Sequence, residues 1–252
     1  GGRHAGRTGP GAVMGSKNLK AIGLLGSITV PVFQRKELDK TGHHLTSKSL
    51  GPATEKYRTL GTAANISIFN RLGTLPTRNF QQSTFELAES ISGETLNENH
   101  HVKTAHCSNC TIGCEQVVRT NDKKEQVKGR IEYESSFALG PLVGVADPNT
   151  LIRASVICDE LGIDTISSGA TIAWAMESFE KNLISQKDTN GIDLSFGNGE
   201  ALLKVLELIA NREGIGNLLA EGSKIASEKL GKNSSTWAMH VKGLEMPGYE
   251  PR

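Results

Sequence analysis

The amino-acid sequence predicts a mainly α-helical protein. In its second half, apolar residues recur at helical spacing, and short polar stretches separate these runs. Residues that favour the beginning or the end of a helix delimit several of the runs. No internal repeat or low-complexity tract is evident. We therefore expect the second half to form an array of helices with short connections.

The best-defined helix is expected from Pro148 to Leu161. Asp147 can cap its first turn, a proline suits the first helical position, and Gly162 suits the left-handed residue that ends a helix. Asp164 is a natural cap for a second helix that begins near Thr165. Further helices are expected over residues 200–212 and 217–230.

The first half gives fewer local signals. Residues 19–25 are short and apolar, which predicts a β-strand after the glycine-rich, basic opening. The polar pattern that follows is compatible with helix, with a break at Gly51 before a proline. The remaining expectations are a polar helical stretch over 32–65, an ordered loop over 73–82 and a surface segment over 84–99.

Composition excludes several classes of function. The chain has 252 residues and a formal net charge of +1, which gives no electrostatic case for binding nucleic acid or an anionic membrane. No apolar run approaches the roughly 18 residues that span a bilayer, and no signal peptide is visible, so the cytoplasm is the expected location. The sequence begins at Gly1 without a methionine, and we expect an internal piece of a longer protein.

Three cysteines fall within eight residues and form the strongest chemical motif. Cys107, Cys110 and Cys114 give a C-x2-C-x3-C spacing, and Gly113 eases the tight backbone that such a segment needs. Three thiolates with a fourth ligand from elsewhere match the needs of a [4Fe–4S] cluster. A Cys₃His zinc site and unmetalled thiols are the alternatives, and Cys158 is expected to be a packed core thiol.

Histidines near this motif keep zinc open as the competing metal. They are His100, His101 and His106.

Other polar residues suggest ligand contacts but have simpler interpretations. Arg3, Arg7 and Lys17 in the glycine-rich opening suit an anion, or form a solvated basic turn. Asp159 and Asp164 suit a nitrogen-rich ligand such as a pterin, although capping of a helix explains Asp164 more simply. These residue types alone leave both interpretations open.

Two pairs of residues are candidates for proton transfer and substrate contact. Glu132 and Glu134 adjoin an apolar stretch, where desolvation would raise the pKa of a carboxyl and favour general acid–base chemistry. His240 and Lys242 would point to one side if their segment is extended. An exposed turn is an equal interpretation for the glutamates.

Taken together, these segments resemble the aldehyde ferredoxin oxidoreductase family of tungsten- or molybdenum-pterin enzymes. The resemblance follows the family's order and covers most of the chain, least well over residues 32–100. The matching segments are AGRTGPGAVMGSKNLKAI at 5–22, CSNCTIGC at 107–114, EYESSFALGP at 132–141, CDELGIDTISSGATIAWAME at 158–177, LAEG at 219–222 and HVKGLEMPGYEPR at 240–252.

The resemblance implies roles for individual residues. The three clustered cysteines are implied as cluster ligands, with the family's fourth cysteine beyond residue 252. Asp159 and Asp164 match a pterin-contacting D-x-x-G-L-D motif in which Ile163 replaces leucine, and Lys242 resembles a further pterin contact. The residues implied at the pterin, its phosphate and a bridging Mg²⁺ are Arg3, His4, Ala5 and Arg7. The implied catalytic residues are His240 and one of Glu132 and Glu134, with Glu134 preferred.

The resemblance also implies a fold and a reaction. We expect helical-array domains of this family's type at 31–210 and, truncated, at 211–252, preceded at 1–30 by the last strand of a β-rich pterin domain. The implied reaction oxidises an aldehyde to a carboxylic acid, with ferredoxin as electron acceptor, through a tungsten- or molybdenum-bis-pterin centre and a [4Fe–4S] cluster. A homo-oligomer is an option. The alternatives are a low-potential reductase of aromatic thioesters and a helical zinc-binding interaction module.

Overall fold

The structure, a computed structural model, describes residues 7–122 and 125–250. Helices dominate these residues, which confirms the mainly α expectation. The α-helices are α1 (Pro10–Ser16), α2 (Arg35–Ser49), α3 (Glu55–Leu60), α4 (Asn65–Arg71), α5 (Gly93–His100), α6 (Tyr133–Leu139), α7 (Pro148–Leu161), α8 (Thr165–Glu180), α9 (Gly199–Asn211), α10 (Ile215–Leu219) and α11 (Gly222–Leu230). The strands are β1 (His101–Ala105), β2 (Glu115–Arg119), β3 (Lys128–Ile131), β4 (His240–Val241) and β5 (Leu244–Glu245).

Helix α8 is the central element of the hydrophobic core. Most of its residues are buried, and α6, α9, α10 and α11 all pack on it. Trp174 is fully buried near its middle and donates its indole N–H to the carbonyl of Ser234 at 3.0 Å. Because a buried indole N–H needs a partner, this bond fixes the C-terminal segment against α8.

The cysteine segment is held by a small antiparallel sheet. Strands β1, β2 and β3 are adjacent in chain order, and the three cysteines lie in the connection between β1 and β2. Val118 and Ile131 are buried on one face, and β3 packs against α7. The sheet therefore anchors the cysteine loop to the helical core.

The helix boundaries expected around residues 147–165 are confirmed. Asp147 accepts a hydrogen bond from the backbone N–H of Thr150 at 2.8 Å, and Gly162 ends α7 in the left-handed conformation at φ 68°. Asp164 caps α8 by accepting from the N–H of Ser167 at 3.0 Å. These are local interactions, which explains why sequence alone located them.

The expectation of a strand at residues 19–25 is wrong, and one about exposure holds only in part. Residues 19–25 form no strand, and Leu24 and Leu25 are fully exposed, because the described residues place no neighbouring strand beside them. Residues 84–99 are a surface segment only in part: Glu86 and Leu87 are exposed, whereas Phe85, Ile91 and Leu96 are buried in the core. These apolar side chains and Ala88 attach an otherwise polar stretch to the core.

The helix expected over residues 217–230 is divided in two. Helix α10 ends at Leu219 and α11 begins at Gly222, whose φ of 80° is left-handed. An L side chain rarely adopts this conformation, so the chain turns there. No helix within the described residues is long and apolar enough to cross a membrane.

Helices α6 and α8 pack closely at Gly169. A Cβ at this position would overlap the backbone carbonyl of Ala138, which cannot move without displacing α6. We expect Gly169→Ala to lower the free energy of unfolding by about 1–3 kcal/mol. The control Gly42→Ala, in open space on exposed α2, should raise it by about 0.5–1 kcal/mol. Denaturant midpoints measure both, and equal midpoints would contradict the close packing.

Candidate functional site

The site lies where Arg7 meets the beginning of α8 and the C-terminal hairpin. The guanidinium Nε donates to Asp164 Oδ2 at 3.0 Å, and Nη2 donates to Ser167 Oγ at 3.3 Å and to the carbonyl of Glu245 at 2.8 Å. The Arg7 and Asp164 side chains are about three-quarters buried, at 24% and 30% exposed. Arg7 therefore joins three segments that are distant in sequence.

The Asp164 carboxylate is already hydrogen-bonded within the protein, which agrees with its expected role as a helix cap. It accepts from Arg7 and from the N–H of Ser167. Asp159 is half-buried near the end of α7 and lines a cavity of about 310 Å³ beside Lys103 and Arg130. Asp164 is not among the residues that line this cavity. A pterin contact for either aspartate stays a prediction.

Glu134 is a half-buried carboxylate beside this arginine. Burial raises its pKa above the ordinary value, and the charge of Asp164 raises it further, whereas the N–H of Gly248 and the charge of Arg7 lower it. The N–H of Gly248 donates to Glu134 Oε2 at 3.0 Å. A carboxyl with a raised pKa, held by one hydrogen bond, has the properties of a general base.

An aromatic cluster lies close to this carboxylate, whose charge acts on Tyr133 and Tyr249. Phe69, Tyr133 and Tyr249 form a cluster with ring centroids 5.2–5.6 Å apart. The Tyr133 hydroxyl donates to the carbonyl of Gly248, whose N–H serves Glu134. A Cβ on Gly248 would lie 2.7 Å from the Phe137 ring, so only glycine lets the C-terminal segment approach α6 this closely.

Glu132 lies near Cys114 of the cysteine loop. It precedes α6, and its charge contributes to the raised pKa of the Cys114 thiol, after burial as the main cause. Glu134, two residues later, interacts instead with Arg7 and Asp164. The beginning of α6 therefore lies between the cysteine loop and the arginine site, and Glu134 is the acid on the arginine side.

The cysteine loop is a tight turn with accessible thiols. The N–H of Cys110 donates to the carbonyl of Cys107 at 3.0 Å, and Gly113 is left-handed at φ 65°. A Cβ on Gly113 would also lie 2.5 Å from the His106 ring, so the expected need for glycine is confirmed. All three thiols are free, with Cys107 exposed and Cys110 and Cys114 half-buried.

The three thiols fit part of a metal centre by donor type. They lie close enough for Cys107 and Cys110 to raise the pKa of the Cys114 thiol, and three thiolates supply three of the four ligands of a cubane cluster. Within residues 7–122 and 125–250, no group of three or more His, Cys, Asp or Glu is arranged to hold a single metal ion. The donor set fits, and a fourth ligand must come from elsewhere.

The other cysteine and the nearby histidines have separate environments. Cys158 is fully buried, and burial raises its pKa to about 12, which confirms the expected core thiol. The Nδ1 of buried His100 bonds to the carbonyl of Arg119 at 2.9 Å. His106 lies in the cysteine loop, where its Nδ1 donates to the carbonyl of Cys110 at 3.0 Å and leaves Nε2 as an acceptor. His106 is therefore the histidine best placed for the zinc alternative.

The hairpin formed by β4 and β5 carries His240. Lys242 and Gly243 occupy its two-residue turn with φ of 55° and 91°, so the extended His–Lys pair expected from sequence is wrong. The N–H of Gly243 donates to His240 Nδ1 at 3.2 Å. Because a backbone N–H can only donate, the proton of the neutral ring is on Nε2, which is free to donate.

Some site residues were missed and others cannot be placed. Arg3, His4 and Ala5 lie outside the described residues. Sequence reasoning missed Ser167, Glu245 and Gly248 as members of the site. These three residues lie within the segments that resemble the family. The sequence of such a segment does not show which of its side chains take part in the site.

Comparison with known proteins identifies the family. The family model "Aldehyde ferredoxin oxidoreductase, domains 2 & 3" matches residues 41–252. The chain belongs to the aldehyde ferredoxin oxidoreductase family. This confirms the resemblance inferred from the ordered motifs and the helical character expected of those domains.

The relatives of this family member include named enzymes. The chain is 42% identical, over 99% of its length, to 41% of the tungsten-containing aldehyde ferredoxin oxidoreductase of Pyrococcus furiosus. It is 41% identical to the corresponding enzyme of Pyrococcus abyssi, with the same coverage of both chains. It is 32% identical over 95% of its length to 39% of a WOR-like subunit of an aliphatic sulfonate oxidoreductase from Pyrococcus furiosus. The chain thus spans about two-fifths of these relatives.

A solved structure shares the fold. The active-site complex of a benzoyl coenzyme A reductase with 1,5-dienoyl-CoA matches with a TM-score of 0.62. The match covers 76% of this chain and 29% of that chain, at 19% identity. At this level of identity, the likeness concerns the fold and not the reaction.

Proposed function

We propose that the whole protein to which this chain belongs oxidises aldehydes to carboxylic acids with ferredoxin as electron acceptor. The observation that carries the proposal is the meeting of Arg7, Glu134 and Asp164 at one site, in a chain 42% identical over 99% of its length to a tungsten-containing aldehyde ferredoxin oxidoreductase. The benzoyl coenzyme A reductase likeness is one of fold, so it does not favour the reductase alternative.

The protein residues would manage protons and substrate orientation. Glu134 removes a proton from the water that adds to the aldehyde carbon, a role that suits a half-buried carboxylate with a raised pKa. His240 Nε2–H donates to the carbonyl oxygen of the substrate and stabilises the negative charge that develops there. The oxidation of an aldehyde and a water to a carboxylic acid releases two protons and two electrons. A tungsten- or molybdenum-bis-pterin group, when bound, supplies the two-electron acceptor.

The cofactors would be held by residues already described. Cys107, Cys110 and Cys114 would ligate a [4Fe–4S] cluster with a fourth ligand from outside these residues. Asp159, Asp164 and Lys242 would contact the pterin. The residues proposed beside the pterin phosphates and a bridging Mg²⁺ are Arg3, His4, Ala5 and Arg7.

The position of Glu132 and Glu134 supports transfer of electrons from the pterin site toward the cluster. Glu132 is near enough to Cys114 to raise the pKa of its thiol, while Glu134 lies beside Arg7. Only Tyr133 separates the two glutamates along the chain. The site and the cysteine loop therefore lie on either side of one helix start, which suits a short path through protein.

We also propose that the chain is divided into domains as the resemblance implies. Residues 1–30 would end a β-rich pterin domain, residues 31–210 would form a helical domain, and residues 211–252 would begin a second one. The enzyme would work in the cytoplasm on small aldehydes, with neither nucleic acid nor membrane as a partner, and a homo-oligomer is an option.

Metal analysis of the full-length protein tests the proposal. We expect plasma mass spectrometry of protein purified without oxygen to find tungsten or molybdenum together with about four irons per chain. Oxidation of aldehydes with a viologen dye as acceptor would then be measured. Zinc alone, without iron or either heavy metal, would contradict the proposal and favour the zinc-binding module.

A further inference from the structure

We propose that Glu245 is a positioning residue that holds His240 and Arg7 in their working places, an inference that rests on the proposed function. Glu245 lies on β5 and is 3% exposed. Its Oε1 accepts from the N–H of Ser223 at 2.8 Å and from the Ser223 hydroxyl at 2.9 Å. It also lies 3.5 Å from the Thr171 hydroxyl, which donates to the carbonyl of Ser167 at 2.7 Å. One buried carboxylate thus hydrogen-bonds the hairpin to α11 and contacts α8 at Thr171.

The backbone of Glu245 reaches the rest of the site. Its carbonyl accepts from Arg7 Nη2 at 2.8 Å, and Glu245 is the cross-strand partner of His240. Arg7 in turn binds Asp164 at 3.0 Å. A shift of this one residue would therefore move the proposed hydrogen-bond donor and the arginine together.

The surroundings of Glu245 leave little freedom for its side chain. Gly222 has φ 80°, and a Cβ there would lie 3.0 Å from Glu245 Oε1. The carboxylate also satisfies an N–H in the first turn of α11, which would otherwise lack a partner. Removing it leaves buried donors unpaired, so the hairpin loses its attachment.

The hairpin matters because it determines which atom of His240 can donate. The N–H of Gly243 holds His240 Nδ1 as an acceptor and leaves the proton on Nε2. That bond exists only while the two-residue turn at Lys242 and Gly243 is intact. Glu245 stabilises the turn from the opposite strand, so its side chain acts on the reaction through His240.

The experiment compares two substitutions of Glu245 in the full-length, metal-loaded protein. Glu245→Ala removes every acceptor atom of the side chain, whereas Glu245→Gln keeps Oε1. The control is Asp147→Ala, which removes the cap of α7 far along the chain from the hairpin. The readouts are kcat and KM for propanal with a viologen dye, tungsten content, and the rate of hydrogen–deuterium exchange at the amide of Gly243, which bonds to His240.

We expect Glu245→Ala to lower kcat by about 10²-fold with tungsten content unchanged, since a misplacement of about 1 Å can cost this much. Exchange at the Gly243 amide should accelerate by about tenfold, because the detached turn opens more often. Glu245→Gln should stay within about threefold of the unmodified protein in both readouts. Asp147→Ala should leave both unchanged.

Several results would overturn the inference. A normal kcat in Glu245→Ala would do so, and faster exchange with normal kcat would indicate a purely structural role. A lowered kcat with unchanged exchange at Gly243 would also do so, because the turn would then not depend on Glu245. Glu245→Gln as impaired as Glu245→Ala would also do so. If Glu245→Ala does not fold, Ser223→Ala removes one donor to Glu245 and should give an intermediate loss. If the unmodified protein oxidises no aldehyde, the proposed function fails, while the exchange rates at Gly243 still test the attachment.

Discussion

Replacing Glu132 and Glu134 together by glutamine is expected to lower kcat for aldehyde oxidation by about 10²–10⁴-fold. Glutamine keeps the shape of both side chains and cannot accept a proton, so tungsten and iron content should not change. The measurement is turnover per bound tungsten in the full-length protein. Retained turnover in the double variant would exclude the proposed base.

The single variants and the pH profile identify which acid matters. Glu134→Gln should account for most of the loss, because Glu134 lies beside Arg7 and has a raised pKa. A base must be ionised, so kcat should fall as the pH decreases through this raised pKa. The decline should therefore begin at a higher pH than for an ordinary glutamate with a pKa of 4.5. Equal losses in the two single variants would contradict this assignment.

Glu134→Gln should not lower the stability of the fold. Because burial raises the pKa of Glu134 in the folded state, the ionised carboxylate costs stability above that pKa, and the cost disappears below the unfolded value. Glutamine removes the cost at pH 7 and can still accept from the N–H of Gly248. We expect a denaturant midpoint at pH 7 equal to or higher than that of the unmodified protein, so lost activity cannot be explained by unfolding.

Replacing Cys107, Cys110 and Cys114 together by serine is expected to remove the cluster and abolish transfer of electrons to ferredoxin. Iron should fall from about four per chain to near zero, together with the visible charge-transfer absorption of the cluster. Cys158→Ala is the matched control, because that thiol is fully buried and packed in the core. It should lower stability and keep the iron. Loss of iron in Cys158→Ala alone, or an unchanged spectrum in the triple variant, would contradict the assignment.

Sequence located those parts of the fold that short-range chemistry determines. The boundaries of α7 and α8 follow from Asp147, Gly162 and Asp164, each of which acts within one turn of its helix. Exposure within 84–99 could not be predicted in this way. Phe85 and Leu96 have no helical or strand periodicity between them, and only the surrounding helices determine that they are buried.

The sequence predicted which segments form the candidate site, but not how their side chains are arranged in space. The cysteine loop is local, so its spacing and Gly113 were sufficient to define it. Arg7 and Asp164, by contrast, are 157 residues apart, and nothing local indicates that they bind. The turn at Lys242 depends on its pairing between β4 and β5, which the extended interpretation of His240 ignored.

The two-sided contact at Gly248 restricts how this segment can change in length. Tyr133 and Glu134, neighbours on α6, bind the carbonyl and the N–H of that single residue. An insertion or deletion between β5 and Gly248 would displace both partners at once, whereas a substitution at an exposed position would displace neither. Natural variation in this stretch should therefore take the form of exchanged residues at constant length.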